Sequence, residues 1–305
     1  MGLLDDLNAG PNAAAAPDFR VAVILPAAGR GERFGGGGGG ADAGLLGSGA
    51  PPSKIELLLD SRPVFMHALS AFCGRADVVQ VILAVAPDRL DDFNDRYGDR
   101  LDDLDVTRVA GGTADRWQTV ARALAHVDPA ATHIAVHDAA RPLVEQTLID
   151  RVFAAAARFD AVVPGLPVSD TLVRAGDAVP SASGGRAEAI LGWDDGPAAE
   201  VRPVTGGLDR AGVFAVQTPQ VFAAALLRRA YALAGRPDDP AAGATDDASR
   251  VAALGETVHL VNGDKKSLKV TRPGDVELLE ALLANRRAES ARRAADGLLA
   301  DDEDD

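Results

Sequence analysis

The stretch VAVILPAAGRGERF, residues 21–34, decides the fold because an apolar, β-branched run passes directly into a glycine-rich turn. Two further runs have the same character, VVQVILAV at 78–85 and THIAVH at 132–137. Near-continuous apolar runs of this kind are typical of strands that are covered on both faces of a parallel sheet. Amphipathic segments predict helices between and after these runs, at 63–72, 116–127, 145–159 and 221–234. The alternation predicts an α/β fold built on a doubly wound, mostly parallel sheet.

Length and composition favour one large domain with loose ends. The chain has 305 residues, of which 47% are hydrophobic and 25% charged, so it can bury a substantial core. We expect a disordered extension at 1–19, a single domain at 20–288 and an acidic disordered tail at 289–305. Within the domain we predict a loop insertion at 35–52 and an enlarged arm at 170–210, because both are rich in glycine and other small residues.

The charge and the cysteine count limit the partners. The formal net charge is −14, and an acidic surface argues against a nucleic-acid or anionic-membrane partner. An anionic small substrate remains compatible, since a pocket needs only a local cluster of Arg and Lys. Cys73 is the only cysteine, which excludes an intramolecular disulfide. With no apolar run of membrane-spanning length and an acidic N-terminus, the expected location is the cytoplasm.

The glycine-rich turn after the first strand predicts a phosphate site. Ligands of open α/β sheets bind at the carboxyl ends of strands, and Gly29 and Gly31 allow backbone N–H groups to converge on an anion. A tight turn without a ligand is the alternative. A P-loop is excluded because Lys54 is not part of a Gly-Lys-Ser/Thr sequence. A dinucleotide fingerprint is excluded because the glycine run 35–40 opposes a helix there, each glycine costing about 1 kcal/mol.

Arg33 and Lys54 stand at the two ends of the glycine-rich loop. Two cations placed in this way can close over a bound polyphosphate, while the glycines between them tolerate the motion. Two solvated surface charges are the alternative interpretation.

Further polar residues follow other extended segments. Asp138 and Arg141 in HDAARP follow the run THIAV, where a carboxylate suits Mg²⁺ and a guanidinium suits phosphate. An ordinary Asp–Arg ion pair is the alternative. Thr119, in the glycine-containing turn GGTADRWQT, can donate to a ligand base. Similar positions are held by Asp170, Thr171, Arg210 and Lys269. The five histidines show no metal-ligand spacing, so we predict no zinc site.

The order of these motifs resembles one enzyme family. AAGxGxRF, Lys54, GG-x-x-x-R-x-x-T, VHDAARP, PVSDT, QTPQ, TDDAS and LKVTRP together resemble the 2-C-methyl-D-erythritol 4-phosphate cytidylyltransferases over about residues 21–283. The resemblance implies a Rossmann-like nucleotidyltransferase fold with a protruding β-arm. It also implies transfer of CMP from CTP to 2-C-methyl-D-erythritol 4-phosphate, with release of pyrophosphate, in non-mevalonate isoprenoid synthesis.

The resemblance also implies roles for individual residues. Those around the nucleotide would be Ala27, Ala28, Gly29, Gly31, Gly111, Gly112 and Thr119. Arg33 and Lys54 would neutralise the triphosphate, and Asp138 would hold Mg²⁺. The sugar-alcohol phosphate would lie among Arg141, Asp170, Thr171, Arg210, Thr245 and Lys269. Arg210 would come from the neighbouring subunit of a homodimer formed through the 170–210 arm.

Two other functions stay open at this point. A pentitol-phosphate (ribitol 5-phosphate) cytidylyltransferase shares the nucleotide chemistry and differs where the acceptor is read. A non-catalytic nucleotide-binding relative is the third possibility, and the presence of Arg33, Lys54, Asp138 and Lys269 counts against it.

Overall fold

The computed structural model describes residues 19–29, 53–179, 201–272 and 274–301. The contacts within the chain divide it into two units. The first unit comprises Met1–Gly165 and Val216–Asp305, and the second comprises Leu166–Ala215. Most of the predicted extension 1–19 and the whole predicted insertion 35–52 lie outside the described residues. Phe19, the first of the described residues, is buried, and its ring centroid lies 4.5 Å from that of His133. The division into domains that the sequence suggests stays a prediction.

The strands and helices have the following bounds. The strands are β1 (Val21–Ala27), β2 (Leu58–Leu59), β3 (Arg62–Pro63), β4 (Val78–Val85), β5 (Val106–Ala110), β6 (His133–Val136), β7 (Ala161–Pro167), β8 (Leu172–Ala175), β9 (Val204–Leu208), β10 (Phe214–Val216), β11 (Gln220–Ala223) and β12 (His259–Asn262). The helices are α1 (Val64–Ser70), α2 (Leu90–Asp102), α3 (Arg116–Leu124), α4 (Gln146–Ala156), α5 (Ala224–Tyr231), α6 (Asp247–Ala252) and α7 (Gly274–Asp301).

The central sheet of the first unit is mostly parallel, as predicted. Its strands follow the order β7, β11, β6, β1, β4, β5, and β12 pairs with β7. β1 pairs in parallel with both β4 and β6, and β4 pairs in parallel with β5. β11 is antiparallel to β6 and β7. The carboxyl ends of β1, β4, β5 and β6 therefore meet at one edge of the sheet.

Both faces of this sheet are covered, which explains the continuous apolar character of β1. Val23 and Leu25 point into a core that includes residues of α1, α2 and α4. Ala22 and Ile24, on the opposite face, pack with residues of α3, α5 and α6. Ile24 is fully buried, and burial of such a side chain contributes roughly 2 kcal/mol.

Two predicted segments differ from the structure. Residues 221–223, predicted as the start of a helix, belong to β11, and the helix α5 begins only at Ala224. A short apolar run fits either a buried strand or a buried helix, so its period cannot separate the two. α7 continues to Asp301, so residues 289–301, predicted as part of a disordered tail, are helical. Among the residues described, none of the helices has both the length and the apolar character of a membrane span.

The second unit contains a two-stranded antiparallel ribbon. Leu172 in β8 pairs with Leu208 in β9, and an isolated bridge joins Val179 to Val201. The ribbon exposes apolar side chains, of which Val204, at 67% exposure, is the most exposed. A protruding arm stays a prediction.

Candidate active site

Three strands of the parallel edge deliver their following residues to one cleft. β1 leads into Ala28 and Gly29, β5 into Gly112, and β6 into Asp138. Lys54 and Lys269 reach the same cleft from segments outside the sheet. Among the described residues, the lining is Pro26, Ala27, Ala28, Gly29, Lys54, Ile55, Gly112, Ala114, Asp115, Arg116, Thr119, Asp138, Ala139, Ala140 and Lys269. Five of the predicted nucleotide residues therefore share a surface with the predicted metal residue Asp138, namely Ala27, Ala28, Gly29, Gly112 and Thr119.

The paired glycines after β5 are required by close packing. A Cβ atom on Gly111 would lie 2.9 Å from both Ala28 Cβ and Thr119 Cγ2. A Cβ atom on Gly112 would lie 2.4 Å from Gln118 Cβ, closer than real Cβ contacts. Any side chain here would push the turn away from the end of β1 and the start of α3.

Thr119 closes the same turn. The backbone N–H of Gly112 donates to Thr119 Oγ1 at 3.0 Å, and the side chain of Thr119 is almost fully buried. A hydroxyl that accepts one bond still has its own hydrogen to donate. Thr119 thus holds the turn and retains the donor that the sequence prediction assigned to a ligand base.

Asp138 is a carboxylate on the cleft wall, and three cations among the described residues surround it. Lys269 Nζ lies 2.8 Å from Oδ2, while Arg141 Nε lies 3.5 Å from Oδ2 and Arg116 Nε 3.5 Å from Oδ1. Burial alone would raise the pKa of Asp138, but Arg116, Lys269 and Arg141 outweigh burial and hold the pKa well below its usual range. Asp138 is therefore ionised throughout the physiological pH range.

Arg141 also contacts the segment before Lys269. Its Nη1 donates to the carbonyl of Ser267 at 2.7 Å, and Arg141 is not among the residues that line the cleft. Because Ser267 precedes Lys269 by two residues, this bond ties the HDAARP turn to the segment that carries Lys269.

A buried histidine supports Asp138 from behind. His137 is fully buried, and its Nε2 lies 3.2 Å from the carbonyl of Arg141. Burial lowers the pKa of His137 to about 4, so the ring is neutral at physiological pH. Because a carbonyl only accepts, Nε2 carries the hydrogen, and Nδ1 accepts from the hydroxyl of Thr218 at 3.0 Å. The same hydroxyl accepts the backbone N–H of Asp138 at 3.1 Å.

The QTPQ segment (217–220) connects the cleft to two other parts of the chain. Gln217 Nε2 donates to the carbonyl of Asp264, whose N–H donates back to Gln217 Oε1, at 2.8 and 2.9 Å. Gln220 Nε2 donates to Asp246 at 2.8 Å, and its Oε1 accepts from the backbone N–H of Ala248 at 3.0 Å. The motif thus holds the turn before Lys269 and the start of α6.

Lys54 is positioned by a buried ion pair next to it in the chain. Glu56 lies 2.7 Å from Arg89 and 2.7 Å from Arg96, with its side chain only 2% exposed. Glu56 also accepts the backbone N–H of Ser53 at 3.0 Å. These contacts fix the backbone on both sides of Lys54.

Arg116 is a cleft residue that the sequence prediction did not select. The sequence signal was the arginine of the GG-x-x-x-R-x-x-T pattern, but its surroundings depend on a distant residue. Its Nη1 lies 2.8 Å from Oδ2 of the fully buried Asp247. Burial would lower the pKa of Arg116, but Asp247 and Asp138 raise it.

The remaining predicted site residues do not all reach the cleft. Gly31 and Arg33 lie outside the described residues. Thr245 is exposed, directly before the α6 N-cap Asp246, and does not line the cleft. The second unit contains Asp170, Thr171 and Arg210. Within that unit, Arg210 donates to the carbonyl of Ser169.

The cleft fits a divalent cation that is held mainly by substrate. No group of three or more His, Cys, Asp or Glu side chains within the described ranges is arranged to hold a metal ion. The carboxylates that line the cleft within these ranges are Asp138 and Asp115. Mg²⁺ commonly binds through one or two carboxylates and takes its other ligands from water and phosphate oxygens. The donor set therefore suits Mg²⁺ bound together with a phosphate ligand.

Comparison with known proteins gives one consistent family. The sequence model described as "IspD: 2-C-methyl-D-erythritol 4-phosphate cytidylyltransferase" matches residues 21–188 and 195–285. The protein of that name from Rhodopirellula baltica is 34% identical over 280 residues, covering 88% of this chain and 97% of the relative. The one from Frankia casuarinae is 38% identical over 279 residues, covering 90% of this chain and 86% of the relative. The crystal structure of the one from Thermus thermophilus superposes with a TM-score of 0.59 at 32% identity, covering 86% of this chain and 98% of that one.

Proposed function

Because this chain belongs to the 2-C-methyl-D-erythritol 4-phosphate cytidylyltransferase family, we propose that it transfers CMP from CTP to 2-C-methyl-D-erythritol 4-phosphate and releases pyrophosphate. One structural observation in this chain supports the proposal. The cleft at the parallel edge combines a glycine-lined backbone surface with Lys54, Lys269, Arg116 and the carboxylate Asp138.

The reaction needs charge stabilisation more than nucleophile activation. A phosphate oxygen of the acceptor attacks the α-phosphorus of CTP, a new P–O bond forms, and the bond to the bridging oxygen of the pyrophosphate breaks. The acceptor oxygen is already ionised at neutral pH, so no general base is required. Neither a His nor a Cys lines the cleft among the described residues, which agrees with a mechanism that depends on positioning and charge.

The backbone after β1 and β5 is assigned to the nucleotide. Ala27, Ala28 and Gly29 line one wall, and the packed turn at Gly112 lines another. Backbone N–H groups that follow a strand in a glycine-rich turn form a cradle for phosphate oxygens. The residues assigned to CTP are Ala27, Ala28, Gly29, Gly31, Gly111, Gly112 and Thr119.

Lys54 and Lys269 are assigned to the charge that develops during transfer. Both line the cleft, and Lys269 lies within 2.8 Å of Asp138. Preorganised cations of this kind lower the barrier because they need no reorientation as charge builds up at phosphorus. Arg33 is assigned the same role by family resemblance.

Asp138 is assigned to Mg²⁺. When bound, the ion would neutralise phosphate oxygens and make the α-phosphorus more electrophilic. Asp138 is suited to this role because its ionised state is secured by the surrounding cations.

The acceptor is assigned to a set of polar residues. By family resemblance these are Arg141, Thr245, Lys269, Asp170, Thr171 and Arg210. We also propose a homodimer through the 170–210 arm, with Arg210 of the partner subunit completing the acceptor site. Its support is the ribbon of β8 and β9, since a two-stranded ribbon with exposed valines is marginally stable alone.

Pyrophosphate release tests the function. The protein is incubated with CTP and Mg²⁺, and with 2-C-methyl-D-erythritol 4-phosphate, ribitol 5-phosphate or no acceptor. We expect release only with the first acceptor, and loss of release when a chelator removes the divalent cation. Release with ribitol 5-phosphate alone would contradict the proposed acceptor, and no release with either acceptor would contradict the proposed enzyme.

A further inference from the structure

Arg116 shares the cleft with the residues assigned above but has no role among them. It is the first residue of α3, and its side chain lines the same surface as Lys54, Asp138 and Lys269. Its side chain is 29% exposed, so it is accessible from the cleft. The positive end of the α3 dipole adds to its charge at this point.

Asp247 holds Arg116 from the interior of the domain. Asp247 is fully buried, its Oδ1 accepts the hydroxyl of Tyr231, and its Oδ2 lies 2.8 Å from Arg116 Nη1. Burial and Asp247 raise the pKa of Tyr231, so the hydroxyl stays protonated and donates to Asp247. The backbone at Asp247 is fixed in turn, since the preceding Asp246 caps α6 by accepting the N–H of Ser249 at 2.8 Å.

A buried carboxylate of this kind is costly for stability alone. Desolvation of an ion pair costs several kcal/mol per ion in proteins, and apolar replacements of buried pairs are often at least as stable. The buried pair is instead explained by function, because Asp247 orients the guanidinium of Arg116 at the cleft.

The guanidinium is held at one end and leaves donors toward the cleft. Nη1 of Arg116 forms the ion pair with Asp247. Nε of Arg116 lies 3.5 Å from Asp138 Oδ1, beyond normal hydrogen-bond distance. Nε and Nη2 form the fork with which arginine binds two oxygens of one phosphate.

We propose that Arg116 is a further catalytic residue that binds phosphate oxygens of CTP, and that Asp247 is a positioning residue that acts through Arg116. The inference rests on the function proposed above. A phosphate in the cleft replaces the loose contact between Arg116 and Asp138, while the contact between Arg116 and Asp247 is kept. Tyr231 fixes Asp247 and so contributes to the orientation of the guanidinium.

The rival interpretation is that Arg116 only balances the charges of Asp138 and Asp247. Under that interpretation, its replacement would lower stability without a specific effect on CTP. Arg250 provides a matched control for this case. It forms a buried ion pair with Asp239 at 2.9 Å, and its guanidinium packs 5.1 Å from the ring of Tyr231, but it does not line the cleft.

CTP binding by isothermal titration calorimetry, without acceptor, tests the role of Arg116. Lysine keeps the charge of Arg116 but loses the fork, so Arg116→Lys should weaken CTP binding by about tenfold or more, the scale of one charged hydrogen bond. Arg250→Lys should change CTP affinity by less than about twofold. Equal CTP affinity of Arg116→Lys and the wild type overturns the inference but leaves the proposed function standing. Failure of the wild type to bind CTP overturns both.

Turnover kinetics test the positioning role of Asp247. Asp247→Asn should lower kcat by about tenfold, and the double variant Arg116→Lys with Asp247→Asn should be no slower than Arg116→Lys alone. Additive losses would show that Asp247 acts independently of Arg116 and would overturn the positioning role. Tyr231→Phe, a milder change, gives the same test in the same backgrounds if Asp247→Asn does not fold. Added guanidinium should restore part of the turnover that Arg116→Ala loses. If Arg250→Ala also lowers turnover, added guanidinium should not restore it.

Discussion

Two nearly buried carboxylates, Glu56 behind the cleft and Asp138 on its wall, are both surrounded by cations but in different ways. Each carboxylate oxygen of Glu56 has an arginine nitrogen at 2.7 Å, so both of its ion-pair contacts are short. Asp138 has one short contact, to Lys269 at 2.8 Å, and two long ones at 3.5 Å. Asp138 lines the cleft, whereas Glu56 does not.

The difference separates a carboxylate that fixes the backbone from one that remains available to a ligand. The short contacts of Glu56 hold the segment that carries Lys54, and exchanging them for other partners would take the buried partner away from both Arg89 and Arg96. The long contacts of Asp138 can be exchanged at little cost when a phosphate and a cation enter. Burial and charge alone do not distinguish Glu56 from Asp138. The two residues differ in the length of their ion-pair contacts and in their access to the cleft.

The largest expected effect is on turnover, from Asp138→Asn. The substitution keeps the shape but removes the metal-side charge, so kcat should fall by about 10² or more. CTP affinity should not weaken, because the remaining cations of the cleft lose a competing carboxylate. Pyrophosphate release at saturating CTP measures kcat, and calorimetry without acceptor measures the affinity. Near-normal turnover would place Asp138 with Glu56 as a structural residue.

The next effect is on stability, from Glu56→Gln. Loss of one partner from a buried ion pair lowers the free energy of unfolding by about 3 kcal/mol at the low end of the measured range. We expect this lower value because Arg89 and Arg96 are partly exposed. The midpoint of urea unfolding should fall accordingly. The kcat of the folded variant should fall far less than that of Asp138→Asn.

A matched control for Glu56→Gln is Asp92→Asn. Asp92 is the other partner of Arg96, and its side chain is 62% exposed. Removal of an exposed partner should change stability by less than about 1 kcal/mol. If both substitutions lowered stability equally, the buried position of Glu56 would not matter and the comparison would fail.

The part of this contrast that depends on strand ends was predictable from the sequence. Asp138 and Gly29 follow strongly apolar runs, and parallel strands bring their carboxyl ends together. Lys54 was identified as a cation at the end of a loop, but its anchor was not, because Arg89 and Arg96 lie far from Glu56 in the sequence. The role of Asp247 was hidden for the same reason, since its partner Arg116 lies far away in the sequence.

The elements that the sequence did not predict share a physical cause. β11 is a short apolar strand next to a helix of similar composition, and its antiparallel pairing is decided by β6 and β7 on either side. Thr218 carried no local signal of its own, although QTPQ is part of the family pattern. Its importance depends on where His137 lies in the folded chain. Local patterns therefore located the cleft, while tertiary contacts determine what supports it.

A smaller effect is expected from Thr218→Val, which removes the hydroxyl between His137 and Asp138 without changing the shape. The N–H of Asp138 and Nδ1 of His137 would lose their partner in a buried place, at a cost of about 2 kcal/mol. The turnover should fall because the backbone at Asp138 is less well fixed, though less than in Asp138→Asn. Thr218→Ser keeps the hydroxyl and should restore most of the stability, and equal losses in both variants would exclude the hydrogen bonds as the cause.

The smallest effect concerns the pH dependence of stability that His137 contributes. Burial lowers the pKa of His137 to about 4, although the carbonyl of Arg141 favours the protonated ring. In the unfolded chain the ring titrates near about 6.5. As the pH falls below the unfolded value, the unfolded chain gains a proton that the folded chain does not bind, so stability is lost until the folded pKa is reached. Between pH 7.5 and 5.5 the loss from this group should be about 1 kcal/mol.

Long-range ¹H–¹⁵N spectroscopy can assign this loss to His137. At about pH 6, above the folded pKa and below the unfolded one, the folded protein should show His137 as the neutral tautomer with its hydrogen on Nε2. That tautomer follows from the carbonyl of Arg141 at Nε2 and the hydroxyl of Thr218 at Nδ1. A protonated ring at this pH would mean that water reaches His137, and Asp138 would then lack the dry, fixed support that distinguishes its surroundings from a loose surface site.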